Sequence, residues 1–170
     1  MNPVALDRLG PQPQRFVVEL DADARRAVAE RLHLYDLEEL RGDLELRRTA
    51  DGAEARGRVT GRAVQACVVS GEPVIAEVDE EIALRFAELG EITPDAEIEL
   101  GEDELDVVPL DGPAVDLEAA VADTLALALD PFPKADDATL REARARLLSE
   151  EEAAAQAVEA RNPFTVLRPK

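Results

Sequence analysis

Apolar residues alternate with polar ones along most of the first half of the chain, and this period of two predicts β-structure. Residues 14–20 (QRFVVEL) read as a short strand. Residues 37–49 alternate at Leu40, Leu44 and Leu46 and turn at Ala50-Asp51-Gly52. A second alternating run over residues 54–70 follows that turn. Asp-Gly between two such runs is a hairpin signal, because both residues tolerate the backbone twist a tight turn needs. Gly71-Glu72-Pro73 marks the next turn. Residues 73–87 then place Val74, Ala76, Val78, Ile82, Leu84 and Phe86 on one side and Glu77, Asp79 and Glu81 on the other. Such a strand is buried on one face and wet on the other.

The spacing changes to that of a helix in two places. In residues 21–34, Ala24, Ala27, Val28 and Leu32 share a face, and Asp21 or Asp23 stands ready to cap the first turn. In residues 116–130, Asp116 precedes an apolar stripe of Leu117, Val121, Leu125 and Ala128. Leu127 and Leu129 extend the apolar character almost all round, so burial on two sides is expected; Pro131 and Pro133 end the helix. Residues 106–110 read as a last short strand, after an acidic, turn-rich connection over 87–105. Thr139 with Glu142 and Ser149 with Glu152 have capping-box spacing, which predicts a helical tail over about 138–160. Beyond Leu140, Leu147 and Leu148 its apolar face is mostly Ala, so it is expected to be peripheral. The fold class is therefore α+β: an antiparallel sheet with covering helices. A domain over residues 1–135 carries a helical C-terminal extension over 136–170.

Composition narrows the chemistry. Apolar residues make up 46% of the chain but aromatics only 3%, so the core is built from Leu, Val, Ala and Ile. A single cysteine, Cys67, cannot form an internal disulfide, and no apolar run approaches the roughly 18 residues of a membrane helix. No signal peptide is read in the first residues, so a cytoplasmic protein with no membrane association is expected. The nine glycines form no phosphate-binding loop, and His33 is the single histidine, so no cofactor and no metal are expected. Cys67 beside Val68 and Val69 reads as a small hydrophobe in an apolar strand, and His33 as a helix-end residue. A contact between the two would instead point to a nucleophile–base pair and a hydrolase or nuclease.

Charge is where this sequence departs from the ordinary. The chain carries −19, and residues 71–130 hold 19 acids against one base, Arg85. An acidic segment repels phosphate backbones and attracts basic partners. The candidate contacts are Glu77, Asp79 and Glu81 on the strand, with Glu102, Asp103 and Glu104 in the connection. The connection lacks the glycine and terminal Glu of an EF-hand loop, which leaves a solvated acidic loop.

Three stretches carry a resemblance. Cys67-Val68-Val69-Ser70-Gly71-Glu72-Pro73-Val74 is a Cys-centred segment ending in Glu-Pro-Val. Residues 82–86 close a strand on Arg85-Phe86. Residues 115–133 run from Val115-Asp116-Leu117 through a Leu-rich helix into Asp130-Pro131-Phe132-Pro133. In this order, over roughly residues 14–135, they resemble the YceD family. The resemblance implies a non-enzymatic role in accumulating large-subunit ribosomal RNA, with no catalytic residue. Combined with the charge, it implies a basic ribosomal protein as partner and favours an indirect link to rRNA, with local RNA contact by the near-neutral, arginine-bearing N-terminal part left open. A regulatory protein-binding scaffold unrelated to ribosomes and a direct rRNA binder are the alternatives.

Overall fold

The structure, a computed structural model, describes residues 3–87, 106–110 and 112–145. Its centre is a five-stranded sheet in the order β2 (Gln14–Glu19), β3 (Asp36–Arg48), β4 (Gly52–Ala66), β5 (Pro73–Ala87), β6 (Asp106–Pro109). Strands β2, β3, β4 and β5 form an antiparallel meander. The Asp51-Gly52 hairpin joins β3 to β4 as the alternation predicts. Strand β6 departs from the expected all-antiparallel sheet: it runs parallel to β5, from Leu84↔Asp106 to Ala87↔Pro109. A parallel neighbour needs a long crossover rather than a tight turn, and residues 88–105 supply that length. Away from this sheet, β1 (Val4–Ala5) pairs with β7 (Ala114–Val115), a contact between short segments that no alternation announces.

Two helices, α1 (Ala22–Arg31) and α2 (Leu117–Ala128), pack against the sheet; a third, α3 (Asp137–Ala145), follows. Asp21 caps α1 by accepting N–H bonds from Asp23 and Ala24, and Asp116 caps α2 by accepting from Ala119. The cap of α3 is Asp136, which accepts from Thr139 N–H at 2.8 Å, rather than the expected Thr139. Helix α1 closes with Leu34 N–H donating to Ala29 O and His33 N–H to Glu30 O. His33, with φ 55°, takes the left-handed position that glycine usually fills in this motif. It is thus a helix-closing residue, as its place in the sequence predicts.

One face of the sheet supplies the core. Leu40, Leu44 and Leu46 of β3, Val59 of β4, Val78, Ile82 and Phe86 of β5, and Leu117, Val121 and Leu125 of α2 are buried together. On β4 the inward positions are small: Ala53, Ala55, Gly57, Val59, Gly61, Ala63. The small side chains leave room for the helix: a Cβ on Gly42 would stand 2.6 Å from Val121 Cγ2, and one on Gly61 3.3 Å from Leu125 Cδ1. The expected burial of α2 on two sides is corrected, because Leu127 is 87% exposed. A β-bulge between Leu37 and Glu39 lets Leu37 and Leu40, three apart, both face inward. Strand β5 has its own irregularity: Glu80 lies at the parity of Val78 and Ile82 yet is exposed.

Candidate functional site

The opposite face of the sheet bears the acids singled out from sequence, and the register decides their surroundings. Glu77 lies directly opposite Arg62 and Glu81 directly opposite Arg58 across the β4–β5 ladder, with Asp79, opposite Thr60, diagonal to Arg58. Arg62 donates to Glu77 at 2.8 Å and to Glu38 at 2.6 Å. Arg58 grips Asp79 with two N–H groups and reaches Glu81 at 3.9 Å. The guanidinium of Arg58 holds the Asp79 carboxyl below the usual carboxylate range. Arg15–Asp43, Arg41–Glu19 and Arg85–Asp51 extend the pairing across the sheet and into the hairpin turn. Glu54 is itself buried beneath Arg56 and Arg47, and those two cations hold its carboxyl low, Arg56 more strongly.

This face is therefore a lattice of alternating charges rather than an acidic sheet face. Around Arg58 and Arg62, however, Glu38 of β3 and Glu77, Asp79 and Glu81 of β5 outnumber the two cations, so the lattice grows negative toward β5. Glu102, Asp103 and Glu104 lie outside the described residues. Residues 88–105, which contain them, carry eight acids and no base. The signal missing from the alternation was the period-two run of Arg56, Arg58 and Arg62 on β4, which meets the acids only once the hairpin register is known.

Cys67 is buried, as expected, but not in a strand: β4 ends at Ala66, and Cys67 opens the turn to β5. Val68 and Val69 point outward there, 52% and 39% exposed. The turn is tied to the segment after α2. Val68 N–H donates to Pro133 O at 2.9 Å, Gln65 Nε2 to Asp130 O at 2.9 Å, and Ala135 N–H to Cys67 Sγ at 3.3 Å. Tyr35 closes the corner, its hydroxyl donating to Gly71 O at 2.6 Å. The Cys-centred and Asp-Pro-Phe-Pro stretches, far apart in sequence, thus build one corner. Among the described residues Cys67 has Ser70 and Ala135 as partners, not His33.

Those donors change the thiol. The Ser70 hydroxyl first, then the Ala135 and Ser70 N–H groups, pull it down to about 6. Hydrogen bonds to sulfur favour the charged form. An absorbance titration of the thiolate in the native protein is expected to turn over near pH 6 rather than near the ordinary thiol value of about 8.5. The sign for stability follows from linkage: a depressed folded-state value adds stability that is fully present above the unfolded value and is lost as pH falls through about 6. The advantage of the wild type over Cys67→Ala in urea should therefore grow from pH 6 to about pH 8.5. A flat difference, with a titration midpoint above 8, would contradict the corner geometry.

No helix among the described residues is long and apolar enough to cross a membrane. Comparison with curated proteins and with solved structures finds no match. The family model for the large ribosomal RNA subunit accumulation protein YceD matches residues 55–169, from early β4 through the Cys67 corner and α2 into the C-terminal stretch. With that match covering more than half of its length, the chain belongs to the YceD family.

Proposed function

We propose that this protein supports accumulation of large-subunit ribosomal RNA in the cytoplasm without catalysing a reaction, by engaging a basic ribosomal protein through acidic residues. Family membership supports the ribosomal role. The observation that carries the mechanism is the acidic excess of residues 71–130, 19 acids against the single base Arg85, which the arginines facing Glu77, Asp79, Glu81 and Asp123 offset only in part. A basic protein held transiently by such a surface meets it fast and passes easily to RNA, whose phosphate field is stronger. The same geometry argues against direct rRNA binding by the sheet, because the arginines of its open face are engaged by carboxylates.

The two acidic groups differ in what reversal should do. Glu102→Lys, Asp103→Lys and Glu104→Lys together are expected to abolish co-purification of the basic partner and leave the thermal transition in place. Reversal of Glu77, Asp79 and Glu81 would set lysines beside Arg58 and Arg62 and so also cost stability. The wild-type contact should weaken with salt, since exposed charges are screened within about 10 Å at 0.1 M. In cells depleted of the protein, mature large-subunit rRNA should fall relative to small-subunit rRNA. An unchanged ratio would reject the function; undiminished capture by both triple variants would reject the mechanism.

A further inference from the structure

Strand β5 is fifteen residues long, but its second neighbour covers very little of it. Pairing with β6 is confined to Leu84–Ala87, so among the described residues 74–83 have a partner on the β4 side only. A ten-residue edge runs about 33 Å at the usual rise per strand residue and presents a row of backbone donors and acceptors to whatever lies beside it. The other edge strand, β2, is shorter, at six residues.

Resting on the basic-partner reading above, we propose that this edge is where the partner binds: an extended basic segment adds to the sheet as a strand beside residues 74–83. Backbone pairing supplies the affinity in such additions, and the alternating side chains supply the choice of partner. Here the outward positions are Ile75, Glu77, Asp79 and Glu81, and Glu80 adds a fourth exposed acid on the inner side. Inward lie Val78 and Ile82, buried at the rim of the core. A complementary strand therefore alternates Lys or Arg with apolar residues. Arg58 and Arg62 already serve this row, but from the β4 side, and they leave it net negative. A second copy of this chain does not fit, because its own β5 acids would stand opposite these, and like charges directly opposite destabilise a pair.

The test uses the full-length chain and a fluorescent eight-residue peptide alternating Lys and Val. In a strand, successive residues present their N–H groups to opposite edges. N-methylation of every Lys and N-methylation of every Val thus remove donors from opposite edges while keeping the charge. Strand addition predicts that one of these peptides loses about a hundredfold in affinity, the cost of several backbone hydrogen bonds, while the other binds like the parent. It also predicts slowed amide exchange within residues 74–83 when the parent peptide is bound. Equal binding by both methylated peptides, or protection confined to other segments, overturns the edge site and leaves the basic-partner reading standing. No binding by the parent peptide at low salt overturns both.

Discussion

Gly57→Ala is expected to unfold the domain or to cost on the order of 4 kcal/mol or more. Gly57 lies on the inward side of β4, directly opposite Leu44 of β3. A Cβ there would sit 2.1 Å from the backbone oxygen of Asp43 and 2.9 Å from the Cα of Leu44. These are backbone atoms of the central hairpin, so no rotamer change relieves the clash. The φ of Gly57, 158°, is in addition one that side-chain-bearing residues seldom adopt. Gly71 provides the control. Its φ is 74°, but a Cβ there meets nothing within 4 Å, so Gly71→Ala should cost only the left-handed backbone penalty of about 1–2 kcal/mol. Urea denaturation of both variants decides the matter. Equal midpoints would show that β3 and β4 do not approach each other as described.

Leu125 and Leu127 stand two residues apart on α2 and should respond in opposite ways. Leu125 is fully buried against Gly61, and truncation to Ala would leave a void lined by strand backbone that cannot close. Buried leucine truncations cost about 2–5 kcal/mol, and the rigid floor under this one argues for the upper part of that range. Leu127→Ala, at a position 87% exposed, is expected to change stability by less than about 0.5 kcal/mol. A large loss at Leu127 would mean that a further surface covers α2 in solution; a small loss at Leu125 would misplace the helix.

This pair also shows what was legible in the sequence. Alternation located the four meander strands to within a few residues, because each is buried on one face only, and the Asp-Gly turn fixed the hairpin. Capping aspartates fixed the starts of α1 and α2. Periodicity cannot say which side of an apolar helix is covered, so it predicts burial for Leu127, which is exposed. Nor could it foresee that Cys67 leaves the strand: Val68 and Val69 look like a continued strand until the segment after α2 binds the turn. The acids of β5 were legible as a stripe. Their pairing with Arg58 and Arg62 was not, because it arises only across strands, in a register read from the folded hairpin. The parallel placement of β6 and the pairing of β1 with β7 depend on long connections that carry no local signal.

That last pairing sets an order on the birth of the domain. Val4 pairs with Val115, and Leu6 N–H donates to Pro113 O at 2.9 Å. The meander strands find their neighbours within a few dozen residues, so they can zip up as they leave the ribosome. The clasp between β1 and β7 waits for its second half through more than a hundred further residues, roughly ten seconds at about 5–20 residues per second. For that interval Val4 and Leu6, which pack against the finished core, are without their final partners. Val4 and Leu6 are thus made well before they can be put in place.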